Sequence, residues 1–288
     1  MSADTFPNRR LSPDRQRLMS TTFKSQRAAH SEPSSTPFGH FQDVHQSFLR
    51  MGQERLVAIN SISFDLRAGS LVSLLGPSGC GKTTFLRIVA GLIRATSGTI
   101  QINGVDVTEP QPDFGVAFQQ ANLMPWRTVI KNVLFPIEIR RENTSDTLER
   151  AHELLALVGL LGFETAYPSE LSGGMQQRVA LCRALIHQPR LLLMDEPFGA
   201  LDELTRMEMQ ELLLDIRTKT GATVLFVTHS ISEAIFLSDT VVVFSKRPAV
   251  IADYIDVDLP YPRTPEVRYS AAFTDLEHRA GRALGITR

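Results

Sequence analysis

A chain of 288 residues, 43% of them hydrophobic, can bury one large core or two modest ones and reads as a soluble globular protein. Thirty Lys and Arg against 31 Asp and Glu leave a formal net charge of −1, without the clustered excess of cations that nucleic-acid binding requires. Cys80 and Cys182 stand in neither a metal-ligand nor a disulfide spacing, which suits a reducing compartment. The longest uncharged apolar run, LLALVGLLGF at 154–163, is about half of the roughly 20 residues that cross a bilayer, so a membrane role must pass through a partner.

Residues 1–37 are rich in Ser, Pro and Arg, lack apolar periodicity and read as a disordered extension. Their basic, serine-bearing composition is that of a transit peptide, but Asp4, Asp14 and Glu32 interrupt it and no apolar secretory core follows. From Phe41 onward, short apolar runs alternate with longer amphipathic ones. A strand at 71–75 precedes a helix at 82–92, and Asn103-Gly104 marks a hairpin turn in 98–104. Further strands are expected at 116–118, 191–194, 224–227 and 241–244, with helices at 147–158, 172–186, 203–217 and 231–237. Uncharged strands between amphipathic helices imply an α/β core around a parallel sheet, with a small antiparallel β-subdomain at the 98–104 hairpin.

The sharpest motif follows the first of these strands: Gly76-Pro77-Ser78-Gly79-Cys80-Gly81-Lys82-Thr83-Thr84 fits the P-loop pattern G-x-x-x-x-G-K-[ST] and opens a helix. Backbone amides of such a loop converge on phosphate oxygens at a helix N-terminus. Lys82 would then reach the β- and γ-phosphates of a bound nucleotide, and the Thr83 hydroxyl would ligate Mg²⁺. The strand LLLM ends in Asp195-Glu196, which places Asp195 on the metal side and Glu196 where a carboxylate can orient water and accept its proton. Read alone, Glu196 is equally a solvated acid at a strand end. His229, closing VLFVTH, and Gln119, after the strand at 116–118, fall on the same sheet edge. For His229 the choices are γ-phosphate contact or a structural role; for Gln119, Mg²⁺ or water contact or a surface amide. Ser172, Gly173 and Gly174 stand at a helix start in LSGGMQQRV, as an ordinary N-cap or as a second phosphate cradle. A symmetric dimer, in which one copy's cradle completes the other's site, reconciles two cradles with one lysine and one carboxylate pair.

These residues resemble the ATP-binding subunit of an ABC transporter over about 41–280. The resemblance rests on the P-loop, the glutamine loop FQQ with Gln119, the signature LSGGM, the Walker B strand LLLMDE, the D-loop Gly199-Ala200-Leu201-Asp202 and the switch histidine His229. It implies a P-loop NTPase with a RecA-like core, a small antiparallel β-subdomain and an inserted helical subdomain at about 120–185. The ATP-binding domain then spans 38–270, with a C-terminal tail at 271–288. It implies ATP and Mg²⁺ as cofactors, Thr83, Gln119 and Asp195 on the metal, and Glu196, His229 and Gln119 as catalytic residues. It adds Asp202 to the nucleotide contacts and an adenine-stacking aromatic, Phe48, with Phe41 as the alternative. Two such chains close head to tail on ATP, at the cytoplasmic face of the plasma (inner) membrane, against permease subunits served by a solute-binding protein. The surface that receives the permease falls at Asn122-Leu-Met-Pro-Trp126, where Trp126 is otherwise plain core. Met175, where many members carry Gln, the LMPW stretch and the ending RPAVIADYIDVDLPYPR are most similar to the nitrate/sulfonate/taurine importer group. Thiamine-precursor pyrimidines and bicarbonate are the alternative solutes. An ABC ATPase of repair or translation is the alternative class, set against by the 53 positions from Gln119 to Ser172, too few for a long coiled coil, and by the single cassette.

Overall fold

A computed structural model describes residues 37–49, 55–142 and 144–286. The extension at 1–37 therefore lies, apart from Pro37, outside the described residues. Two strands, β1 (Gly39–Phe48) and β2 (Leu56–Leu66), pair antiparallel with register shifts and bury one face, Phe41, Val44, Ile59, Ile62 and Leu66 among its residues. The strand β3 (Leu71–Leu75) is buried along its whole length and feeds the helix α1 (Lys82–Val89). Next come β4 (Ser97–Ile102) and β5 (Val105–Asp106), joined through Asn103 and Gly104, both at positive φ, the conformation a two-residue hairpin loop demands.

The strand β6 (Phe114–Ala117) leads into three helices: α2 (Val129–Arg140), α3 (Ser145–Leu157) and α4 (Gly173–Leu185). They share a buried seam of Val129, Val133, Ile137, Ala151, Leu155, Val179 and Cys182. A helix at α2 is not among the sequence expectations, because Pro136 inside it breaks the helical pattern. The start of α3 lies two residues ahead of the expected one, because Thr144 caps it: Thr144 Oγ1 accepts from Thr147 N (3.3 Å), and Thr147 Oγ1 accepts from Thr144 N (3.0 Å).

The remaining elements alternate: β7 (Leu191–Asp195), α5 (Glu203–Thr220), β8 (Thr223–Thr228), α6 (Ile231–Leu237), β9 (Thr240–Phe244), β10 (Ala249–Asp256) and α7 (Ala271–Ala283). All ten strands form one sheet in the order β5-β4-β1-β2-β10-β9-β3-β8-β7-β6. From β9 to β6 the pairings are parallel, and these five strands carry no charged residue except Asp195 at the end of β7, as a doubly covered sheet requires. One core, around Phe41, Phe64, Phe85 and Phe244, joins the β1–β2 arm and α1 to the sheet; the other lies beneath α4, α5, α6 and the three-helix insert. The stretch 271–288 is no loose tail over its described residues. Its helix α7 buries Phe273 and Ala280 in the second core, because its apolar residues fall on a single face.

Candidate functional site

Because β3, β6, β7, β8 and β9 run parallel, their C-terminal ends share one edge. Leu75 pairs with Thr228 and Val243, and Asp195 with Val227, so the residues that follow these strands converge. A cavity of about 460 Å³ opens there, lined by Ser78, Gly79, Gly81, Lys82, Thr83 and Thr84 of the loop and by Gln119, Asp195, Glu196 and Arg247. Phe48, Leu56 and Ala58 close its mouth from the β1–β2 arm, where Phe48 pairs with Leu56.

The loop's shape explains its glycines. Gly81 sits at φ 130°, and a Cβ there would stand 3.1 Å from the Ala58 carbonyl oxygen; a Cβ on Gly76 would stand 2.9 Å from the Phe244 carbonyl oxygen. Gly76, Pro77 and Cys80 lie behind the cavity wall rather than in it. The carbonyls of Gly76 and Pro77 accept from Lys82 Nζ at 2.6 and 3.1 Å, and the Cys80 thiol is buried, which pushes its pKa up and keeps it protonated. Lys82 is only 3% exposed, and its ammonium reaches to within 3.8 Å of Glu196 Oε1.

Glu196 stands at φ 46°, a left-handed conformation that a non-glycine residue holds only at a cost of order 1–3 kcal/mol. Its amide donates to the Val227 carbonyl at 3.0 Å, and its Oε2 lies 2.9 Å from His229 Nδ1, a hydrogen bond when Nδ1 carries the proton. One carboxylate thus spans an ammonium and an imidazole. Beside it, Thr83 Oγ1 donates to Asp195 Oδ1 at 2.8 Å. Burial, with Glu196 adding to it, raises the pKa of Asp195 against the Thr83 hydrogen bond and the charges of Arg87 and Lys82.

Two hard oxygen donors side by side suit a magnesium ion, which takes one or two carboxylates or hydroxyls and completes its shell with phosphate oxygens and water. No group of three or more His, Cys, Asp or Glu able to hold a metal occurs among the described residues, so an all-protein metal cage is not what this edge provides. Gln119 lines the same cavity with its side chain exposed, and its carbonyl accepts from Gln177 Nε2 at 2.5 Å, which ties it to α4.

The two aromatics differ in burial. Phe41 is 1% exposed and packs at 4.6 and 5.3 Å from the rings of Phe64 and Phe85, so it belongs to the core; Phe48 is 40% exposed at the cavity mouth. His229, bonded to Glu196, is not itself part of the lining, and Ser172, Gly173, Gly174 and Asp202 also fall outside this cavity. Ser172, Gly173 and Gly174 begin α4, where Ser172 Oγ accepts from Met175 N at 3.3 Å, and Asp202 caps α5 by accepting from Thr205 N at 3.0 Å, which lowers its own pKa. Neither helix start lines the cavity that holds Lys82 and Glu196.

This combination is matched by known proteins. A family model described as ABC transporter matches residues 59–199. An uncharacterized ABC transporter ATP-binding protein of Methanocaldococcus jannaschii is 49% identical over 209 residues, 73% of this chain and 78% of that protein. The chain belongs to the ABC transporter ATP-binding family. The taurine import ATP-binding protein TauB of Pelagibacter ubique is 44% identical over 76% of this chain and 82% of its own length. Among solved structures, a dimeric ATP-binding cassette in a post-hydrolysis state bound to ADP and Pi is 30% identical, with a TM-score of 0.68 over 77% of this chain and all of its own.

As an ABC ATPase, the chain is an ATP-binding and ATP-hydrolysing protein, and three of its residues gain definition from the geometry. Arg247, which opens the RPAVIADYIDVDLPYPR stretch but is not among the site candidates of the sequence, lines the cavity and grips the loop, donating to the Gly79 carbonyl from Nε (3.1 Å) and Nη2 (2.6 Å). Its one sequence signal is position: it follows β9, the parallel neighbour of β3. Met175 packs against the core beneath α4, and Trp126, 73% exposed, is not core. Trp126 rides a loop pinned by the buried Asn132, whose amide accepts from Met124 N (2.8 Å) and donates to the carbonyls of Met124, Arg127 and Thr128.

Proposed function

We propose that this protein is the ATP-hydrolysing subunit of an ABC importer, working at the cytoplasmic face of the plasma membrane against a permease. Its solute is taurine, nitrate or a related small sulfonate. The position of Glu196, held between Lys82 and His229 beside the Thr83–Asp195 pair, carries the catalytic part of this reading. The solute class rests on the taurine importer relative and on the LMPW and LSGGM stretches. Recognition of the solute falls to the permease and its binding protein. No helix among the described residues is long and apolar enough to cross a membrane, in keeping with a subunit that docks on one.

In this reading Phe48 stacks on the adenine, a contact worth about 1–3 kcal/mol. The amides of the P-loop and the start of α1 hold the phosphates, and Lys82 neutralises their charge. Magnesium, held by Thr83 and Asp195 with Gln119 at the rim, would supply charge neutralisation between the phosphate oxygens. Glu196 orients water for in-line attack and takes up its proton, while His229 fixes the carboxylate and faces the γ-phosphate. Ser172, Gly173, Gly174 and Asp202 act on the nucleotide of a second copy, which closes head to tail. The exposed Trp126 and its pinned loop offer the permease a surface. The segment between Gln119 and Ser172 holds helices packed on α4, an arrangement that favours transport over the coiled-coil insert of a repair ATPase.

The test is Glu196→Gln. The variant is expected to bind ATP with affinity within about threefold of wild type while hydrolysis falls by at least 100-fold, and to elute as a dimer when ATP is added. Hydrolysis near the wild-type rate would remove Glu196 from the mechanism.

A further inference from the structure

The parallel sheet places His229 at its active edge, but what holds His229 there comes from the other end of the chain. Thr228 and Ser230, on either side of the histidine, are both bonded to Glu233. Thr228 Oγ1 donates to the Glu233 carboxylate and accepts from Ser230 N at 3.0 Å, while Ser230 Oγ accepts from Glu233 N at 3.3 Å. Glu233 is itself 7% exposed, and its Oε1 accepts from Gln210 Nε2 at 3.1 Å. Gln210, 3% exposed in the middle of α5, presents its Oε1 to Arg268 Nη2. Arg268 lies in the short 3-10 turn Pro265–Tyr269, donates from Nη1 to Ser232 Oγ at 2.9 Å and stacks its guanidinium 4.0 Å from the Phe236 ring centre.

Buried polar side chains are costly unless hydrogen-bonded, and a bonded network fixes one arrangement; among the members of this hydrogen-bonded chain only Arg268 Nε is buried without a partner. This chain links the residues flanking His229 to α5, whose N-cap is Asp202, and to a turn 39 positions beyond the histidine and outside the stretch matched by the family model. The sheet already pairs Thr228 with Leu75, and an apolar seam would hold α6 in place without bonding the side chains that flank His229. Burial raises the pKa of Glu233, and the bonds from Thr228 and Gln210 oppose that rise.

We propose that Arg268 is a positioning residue for ATP hydrolysis, holding His229 against Glu196 through Gln210, Glu233 and Thr228. The proposal rests on the reading of His229 as a residue of the hydrolytic site. It makes the C-terminal turn a determinant of turnover rather than of ATP binding. Small displacements of a catalytic group change rates strongly, so the loss falls on kcat.

The experiment uses the full-length chain. Steady-state hydrolysis and ATP affinity are measured for Arg268→Ala, Gln210→Met, Glu233→Gln, His229→Ala and the double variant Arg268→Ala/Glu233→Gln, with thermal melts to confirm folding. Expected is a drop in kcat of about tenfold for Arg268→Ala, with KM for ATP within twofold and partial recovery in Arg268→Lys. The double variant is expected to be no slower than the slower single one, because both break the same chain. Gln210→Met, which leaves the Arg268 stack on Phe236 in place, should show the same kcat loss even if Arg268→Ala does not fold. Unchanged kcat in Arg268→Ala and Gln210→Met beside a slow His229→Ala would overturn the positioning role and leave the site reading intact. Unchanged kcat in His229→Ala would overturn both. A loss confined to KM, or multiplicative losses in the double variant, would also refute the relay.

Discussion

Asp195 ends β7 with a partly buried carboxyl that, in the function proposed above, must be charged to hold a metal. Its pKa is raised in the folded chain, chiefly by burial, so the folded state binds the proton more tightly than the unfolded one. The carboxyl therefore stabilises the fold below its ordinary value of 3.8, and that contribution is lost as pH rises through the folded value; above it, the charged form is a net cost. Each unit of such a shift corresponds to about 1.4 kcal/mol. Asp195→Asn removes the charge and keeps a carbonyl oxygen for Thr83 Oγ1. The variant is expected to melt above wild type at pH 8 without nucleotide, with the gap narrowing toward pH 4, while ATP hydrolysis falls by about 100-fold or more. Thermal melts across that range decide it; a variant less stable than wild type at pH 8 would mean that the carboxylate strengthens the empty loop.

Among the elements, α7 makes the strongest claim against the linear reading of the chain. Phe273 is 1% exposed in the core beneath α6, and Arg279 ties the helix to β10 by donating from Nε and Nη2 to the two Asp253 carboxylate oxygens, each at 2.9 Å. Phe273→Ala should cost about 3–5 kcal/mol in chemical denaturation, the ordinary range for such a cavity, and a loss below 1 kcal/mol would return 271–286 to the status of a tail. The contrast with the P-loop shows what a sequence makes legible. The loop, Asp195, Glu196 and His229 each follow an uncharged strand within a few residues, so local pattern was enough to place them on one edge. Arg247 touches Gly79 across 168 positions, and no local pattern encodes that reach. Phe41 and Phe48 could not be separated by strand parity, because β1 carries register shifts between Phe41 and Val44, Val44 and Gln46, and Gln46 and Ser47 that break the alternation.

At the scale of the molecule, the proposed site is divided between two copies of the chain. Ser172 and Gly173 are exposed at the start of α4, a Cβ on Gly173 would meet nothing within 4 Å, and neither residue lines the cavity that holds Lys82 and Glu196. A 13-residue helix offers its free amides and partial positive charge at that point, with Met175 packed beneath. If two copies close head to tail, each of the two sites takes its P-loop from one chain and its LSGGM from the other. That geometry has an arithmetic consequence. Lys82→Ala and Ser172→Arg each disable both sites of their own homodimer. In a mixed dimer the two lesions meet in a single site, and the other site is wild type throughout. Random mixing gives about half mixed dimers, each with one working site of two, so turnover should recover to about a quarter of wild type if the sites fire independently. The Arg also replaces an N-cap, at a cost near 1 kcal/mol that leaves the fold standing. Activity after mixing the two inactive variants, measured against each alone, decides whether sites are shared. A mixture as inactive as its parents, with mixed dimers shown by differential tagging, would confine each site to one chain or require both sites to work together.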